Sequence, residues 1–325
     1  MCNFERFIYT FVQRMRLNYI KCHGSGNEFI LFDAVADNME SIDLSALAVA
    51  ACNREAAIGA DGILLLVQSS EGVYGMRMFN PDGSEAEMCG NGIRCVARLA
   101  QSYTQSEQFN LTSGGKIYPT ARYSPIYGEI PTFGVEIGVN LWSADFAMSP
   151  SEQNNFIDRV IEPLHPTLRW TAISVGNPHI IAVVDKCDLT LLEELGERVK
   201  SLKEVFPNGV NISLVEPRGE NHIFVTTYER GAGITPSCGT AMTSSATAMA
   251  LQALCDYNKE IVVENRGGVV RCICSNNPTL KTTLIGNATF TEVGTIDFDG
   301  KHFAHTPQQS LTEEIDAWDD FLKSR

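Results

Sequence analysis

Apolar residues along this chain fall mostly in short runs bounded by Gly, Pro, Asn and Asp, and only a few stretches repeat every three or four positions. The short runs predict strands at residues 29–32, 63–67, 109–112, 117–122 and 134–139, and again at 180–184, 211–215 and 222–228. Helical spacing predicts helices at 44–52 and 191–203, and in two segments that each open with a cysteine. Cys89 leads into Ile93, Val96, Ala97 and Ala100; Cys238 leads into Ala241, Ala246, Ala248, Met249, Leu251 and Leu254. A tail helix at 311–322 places Ile315, Trp318, Phe321 and Leu322 on one side. Strands outnumber helices, which predicts an α+β protein.

The pattern occurs twice. Gly26-Asn27 opens one apolar strand and Gly176-Asn177 another; Asn27 stands 62 positions before Cys89, and Asn177 stands 61 before Cys238. Each cysteine lies nine positions after a polar residue that begins a glycine-rich turn, Asn80 in one half and Glu229 in the other. Each cysteine-headed helix is followed by a glycine pair, Gly114-Gly115 or Gly267-Gly268. Four markers in one order, at matched spacing, predict duplicated domains with one cysteine each.

A cysteine at a helix N-terminus has chemical consequences. Unpaired N–H groups and the positive end of the helix dipole favour negative charge there, so both thiols are expected to ionise more easily than a free cysteine. Two such groups, from two pseudo-symmetric halves closing on one substrate, can take a proton from one face of a carbon and return it to the other. The amides of Gly90-Asn91 and Gly239-Thr240 are placed to stabilise a substrate carboxylate as negative charge grows beside it.

A length of 325 residues accommodates two domains. Hydrophobic content of 44% and charged content of 20% are those of a globular protein, and the net charge of −14 argues against a nucleic-acid or anionic-membrane partner. Ten cysteines, with no Cys-x-x-Cys and no secretion signal, are read as reduced thiols. Cys272 and Cys274, flanking Ile273, are expected on opposite faces of a strand and so to form no metal site. His302 and His305 are expected to be solvated. No phosphate-binding glycine loop or cofactor motif is present, so no cofactor is predicted. Near the start, Phe4, Phe7, Ile8, Phe11 and Val12 share a helical face.

Beyond these patterns, Cys22-His23-Gly24-Ser25-Gly26-Asn27, Asn80-Pro81-Asp82-Gly83-Ser84, Cys89-Gly90-Asn91-Gly92-Ile93-Arg94, Gly176-Asn177-Pro178-His179, Glu229-Arg230-Gly231-Ala232-Gly233 and Cys238-Gly239-Thr240 closely resemble the motifs of diaminopimelate epimerases. The resemblance covers roughly residues 17–298. It implies two pseudo-symmetric domains, each a strand-rich barrel-like sheet around the helix its cysteine begins, with the active site in the cleft between them and a last strand, at 288–298, that returns to the first domain. The expected division is 17–138 plus 288–300 for the first domain and 139–287 for the second, with 1–16 an extension and 301–325 a tail. The activity implied is cofactor-independent epimerisation of LL- to meso-diaminopimelate, with Cys238 as proton acceptor and Cys89 as donor, in a cytoplasmic homodimer.

Asn27, Asn80, Asn177, Asn211, Glu229 and Arg230 are implied to hold the ligand, and His179 with Glu229 to tune the thiols. The Arg230 fork suits the distal carboxylate of diaminopimelate. Two positions depart from the family: Gly62 stands where many members have Gln, and Ile234 where many have Glu. A racemase of the same fold acting on another amino acid, and a redox-responsive binding protein using the two thiols as a disulfide, remain open.

Overall fold

A computed structural model describes residues 15–141, 146–148 and 155–324. The amphipathic stretch read near the start lies outside these residues. The first half runs β1 (Met15–Gly24), β2 (Asn27–Asp33), α1 (Leu44–Ala51), β3 (Ile63–Gln68), β4 (Tyr74–Phe79), β5 (Glu85–Ala86), α2 (Gly92–Thr104), β6 (Gln108–Ser113), β7 (Lys116–Tyr123) and β8 (Thr132–Gly138). After the short β9 (Arg159–Ile161) the same order returns. It runs β10 (His165–Ser174), β11 (Pro178–Val183), α3 (Leu189–Ser201), β12 (Asn211–Gly219), β13 (His222–Glu229), β14 (Gly233–Thr235), α4 (Gly239–Leu251), β15 (Glu260–Asn265), β16 (Gly268–Ser275) and β17 (Lys281–Asn287). The chain ends with β18 (Thr289–Phe298), β19 (Phe303–Ser310) and α5 (Thr312–Lys323).

Pairing repeats with the order. Parallel strands need a crossover, and each half has two. Helix α1 crosses between β2 and β3 as α3 does between β11 and β12, while α2 joins β4 to β6 as α4 joins β13 to β15. The outer helices share a start signal as well: Asp43 accepts from Ala46 N at 3.0 Å, and Asp188 accepts from Thr190 N at 2.8 Å, the N-cap bonds that these helices need.

Strands of each half wrap a central helix. On α2 the buried face carries Ile93, Cys95, Val96, Ala97 and Ala100 and packs against β1 to β4 and β8. Its counterpart α4 is buried at every position except Thr240 and Leu251, as befits a helix enclosed on all sides. Its side chains are mostly small, so the sheet approaches closely. Its buried Thr243 and Thr247 donate back to Gly239 O (2.9 Å) and Thr243 O (2.8 Å), which satisfies hydroxyls that would otherwise be costly to bury. The helix ends at Leu251, so Leu254, read as part of it, is exposed instead.

The halves are joined through antiparallel pairing of β8 with β17, and β18 returns to pair with β1 as expected. Met15 and Arg16 already pair with Phe298 and Asp297, so β1 begins two residues before the expected boundary. Cys272 and Cys274 correct another expectation. Residues two apart on a strand share a face, and both thiols are buried on the same side of β16.

The tail contains more than its helix. Strand β19, which the pattern did not signal, pairs antiparallel with β18. His302 and His305, on this segment, are exposed. Helix α5 then docks through Glu314, which accepts two bonds from Arg98 at 2.7 Å and one from Phe290 N at 3.0 Å. Trp318 is buried against His23 and Tyr127, with ring centroids 4.6 and 5.2 Å away. No helix among the described residues is long and apolar enough to cross a membrane.

Candidate active site

Both cysteine-headed helices start where the two halves meet. Cys238 is the N-cap residue of α4, and Cys89 lies two residues before Asn91, the N-cap of α2. A methyl placed on Gly90 would come within 3.9 Å of Gly239 Cα; one placed on Gly239 would come within 3.2 Å of Asn91 Oδ1 and 3.6 Å of Asn91 N. The two N-termini therefore converge, and the glycines after the cysteines let them approach.

Around Cys89 the partners come from the first half. Gly92 N donates to its sulfur at 3.4 Å, and Asn27 at the head of β2 presents Oδ1 4.0 Å from the sulfur. The same oxygen accepts from Asn91 Nδ2 at 3.5 Å. Asn27 is oriented in turn by Asp61, whose Oδ2 accepts from Asn27 Nδ2 at 2.6 Å and from Glu28 N at 2.9 Å.

Around Cys238 the arrangement is mirrored, with different chemistry. Thr240 Oγ1 lies 3.3 Å from the sulfur and accepts from Asn177 Nδ2 at 3.3 Å. Asn177 Oδ1 meets His179 Nε2 at 3.1 Å, so a chain of polar groups runs from the buried His179 to the thiol. Glu229 interacts with the thiol from β13 and accepts a short bond from Thr235 Oγ1. Asn91 Oδ1 and His179 Nδ1 are buried in this region without a hydrogen-bond partner.

Three further candidates have hydrogen-bond partners within the protein. Asn80 donates from Nδ2 to Ser84 Oγ at 3.0 Å within its own turn. Asn211 is buried and used internally, donating to Pro178 O at 3.2 Å and accepting from Arg230 N at 2.8 Å. Arg230 is exposed and donates to Asn208 O at 2.7 Å. Asp61 was not among the candidates, although a signal existed: it follows Asn27 by 34 positions, as Asn211 follows Asn177. At Gly62 an added methyl would sit 2.7 Å from Phe79 O, so any larger residue there needs the strand to shift.

Burial opposes the expected ease of ionisation. It pushes the Cys89 thiol up, and the N–H groups of Gly92 and Asn91 with the Arg94 charge only partly oppose this. Burial also pushes Cys238 far up, and the neighbouring Glu229 carboxylate adds to the effect. Conversely, His179 is driven down to about 3 by burial, reinforced by the Arg230 charge, and is held neutral. Among the described residues no cluster of three His, Cys, Asp or Glu could hold a metal.

These shifts predict how stability depends on pH. His179, at about 3, and His23, driven to about 4 chiefly by burial, both ionise near 6.5 when unfolded. Above 6.5 neither state gains a proton. As pH falls below it, only the unfolded chain does, at up to about 1.4 kcal/mol of lost stability per unit and histidine. Buried thiols act at the other limit: Cys52 is raised to about 12 and Cys255 to about 11, so stability declines once unfolded thiols ionise above about 8.5. The urea midpoint is expected to be flat near pH 7–8 and to fall on both sides, with a shallower acid limb in His179→Gln. An unchanged acid limb in that variant would remove His179 as a cause.

Comparison with known proteins agrees with this geometry. A family model described as diaminopimelate epimerase matches residues 19–121 and 171–291, one segment in each half. A diaminopimelate epimerase from Clostridium acetobutylicum is 35% identical over 95% of both chains, and one from Lactiplantibacillus plantarum is 36% identical over 95% of this chain and 98% of its own. Among solved structures, a phenazine biosynthesis protein from Bacillus anthracis has a TM-score of 0.61 at 16% identity, covering 86% of this chain and 99% of its own. A hydroxyproline epimerase from Agrobacterium vitis has a TM-score of 0.57 at 12% identity, covering 88% and 94%. At such low identity these two establish only the shared fold. Matched in both halves and closely similar over nearly its whole length, the chain belongs to the diaminopimelate epimerase family.

Proposed function

We propose that the chain interconverts LL- and meso-diaminopimelate by a two-base reaction that uses no cofactor, in the biosynthesis of lysine and peptidoglycan. The observation that carries the reading is the meeting of two Cys-Gly helix N-termini, one from each half. In the LL-to-meso direction the Cys238 thiolate takes the α-proton, the bond electrons remain on carbon, and the Cys89 thiol supplies a proton from the opposite face. The product leaves with Cys238 as thiol and Cys89 as thiolate, so the pair must exchange a proton before the next turnover in that direction.

Electrostatics stabilise the carbanion. Amides at Gly90-Asn91 and Gly239-Thr240 surround the α-carboxylate with positive helix ends. Asn27 and Asn177 orient the amino-acid head group, and Glu229 and His179, through Asn177 and Thr240, set the state of Cys238. Asn80 and Arg230 contact the distal head group after turning from their present partners, while Asn211 acts by holding Arg230 and His179. The enzyme works as a cytoplasmic homodimer on a small-molecule substrate, with domain boundaries near 138/139 and 287/288.

The test is proton exchange in D₂O, with reduced protein and LL-diaminopimelate followed by NMR beside lysine, glutamate, histidine and proline. Deuterium uptake with meso product for diaminopimelate alone is the expected result. Uptake with a different amino acid would leave the two-thiol chemistry and replace the substrate; no uptake with any would overturn the reading.

A further inference from the structure

Duplication supplies an internal control for the two thiols, and it isolates a buried cation. Arg94 on the first turn of α2 is 1% exposed. It donates from Nη1 to Gly90 O at 3.1 Å, from Nη2 to Ser25 Oγ at 3.0 Å and from Nε to Asn287 O at 3.3 Å. All three acceptors are neutral, and no ion pair to Arg94 occurs among the described residues. A guanidinium does not lose its proton, and a buried charge without a counterion costs several kcal/mol. Space has been cleared for it on two sides: an added methyl would lie 2.9 Å from Nη2 at Gly24 and 2.8 Å from Cζ at Gly286.

The structural part of this role does not require a charge. Five positions after Cys238 stands Thr243, which bonds Gly239 O at 2.9 Å as Arg94 bonds Gly90 O. A neutral hydroxyl therefore serves in the second half. Conversely, the residue nine positions before the cysteine is the anion Glu229 in the second half and the neutral Asn80 in the first. The charged side chain acting most directly on each thiol is thus Arg94 for Cys89 and Glu229 for Cys238, and the signs are opposite.

The groups that interact electrostatically with Arg94 are His23 on β1, which is buried and held neutral, Cys89 just before α2, Cys95 on α2, Tyr127 before β8 and Cys272 on β16. Cys95 and Cys272 are wholly enclosed, and Tyr127 OH donates to Val269 O. Cys89 alone among them combines partial exposure in the cleft with a backbone N–H donated to its sulfur at 3.4 Å. Around Cys89 the other nearby charge is Asp61, one hydrogen bond removed behind Asn27.

We propose that Arg94 is the fixed countercharge of the Cys89 thiolate, and that in the resting pair the proton sits on Cys238. This rests on the reading of the two thiols as an acid–base pair. Arg94 is a positioning residue: it acts on the substrate only through Cys89. The resting enzyme is consequently set for the direction in which Cys89 is the base, and substrate entering in the other direction requires the proton to move first.

The test uses no substrate, so it fails or succeeds independently of the epimerase reading. Reduced protein is pulsed with iodoacetamide across pH, and the alkylation midpoint of each cysteine is read by peptide mass spectrometry. In the wild type the Cys89 midpoint is expected at least about one unit below that of Cys238, a tenfold difference in thiolate fraction at a given pH below both midpoints. Arg94→Met is expected to raise the Cys89 midpoint by about a unit and leave that of Cys238 in place, whereas Arg94→Lys preserves it. Equal or reversed midpoints in the wild type overturn the proposal. So does a folded Arg94→Met with an unchanged Cys89 midpoint. Should Arg94→Met fail to fold, the wild-type order and Arg94→Lys still decide, because a lysine that keeps the charge but loses the fork leaves Cys89 unmoved only if charge is what matters.

Discussion

Cys89→Ala and Cys238→Ala are each expected to lower epimerisation by about 10²–10⁴-fold, the range over which a positioned acid or base contributes to catalysis. The more informative result is what survives. With one thiol left, an α-proton removed from one face can only return to that face, so each variant is expected to exchange deuterium into substrate without inverting it. Cys238→Ala leaves Cys89 to exchange the isomer whose proton faces α2, and Cys89→Ala leaves Cys238 to exchange the other. Cys89 is only partly buried, so its loss should change the thermal midpoint little, whereas Cys238 is buried and its truncation should lower the midpoint more. NMR of both diaminopimelate isomers in D₂O separates the alternatives. Full turnover by either variant would sink the two-base scheme, and exchange with both isomers by one variant would place its remaining thiol differently.

How far the sequence leads to this site depends on the range of the interaction that places each residue. Local periodicity and turn chemistry were enough for the two central helices, for the strands at Asn27 and Asn177, and for the duplicated order that brings both cysteines to one place. Offsets within the repeat were enough, in principle, for Asp61. What the pattern could not carry are contacts between distant positions. Arg94 meets Asn287 O and Ser25 Oγ, and Trp318 meets His23, across hundreds of residues or between separate elements. The thiols illustrate the same limit. A helix N-terminus is a local feature and argues for easy ionisation, but the opposing desolvation arises only when the two halves close over both sulfurs. Strand β19 was silent for another reason: Phe303–Ser310 is polar and mostly exposed, and it is held by backbone bonds to β18, which leave no apolar alternation to read.

Closure itself can be tested at Gly239, where substitution by valine is expected to reduce kcat by at least about 10²-fold. A β-carbon there already sits 3.2 Å from both Asn91 Oδ1 and Leu284 Cδ2, closer than such atoms normally pack. Alanine needs its neighbours to yield only a few tenths of an ångström. The γ-carbons of valine would have to displace the N-terminus of α2, and a misplacement of about 1 Å between reacting groups costs roughly 10²-fold. Because Gly239 stands at the first turn of α4, with no left-handed backbone to lose, the fold should tolerate the change. Gly138→Ala is the control, since nothing lies within 4 Å of an added methyl there. The expected order of kcat is wild type and Gly138→Ala, then Gly239→Ala, then Gly239→Val, measured at saturating substrate beside circular dichroism. Wild-type kcat in Gly239→Val would mean that the reacting thiols are farther apart than this closed arrangement brings them, and the carboxylate would then have to find its N–H donors on one helix alone.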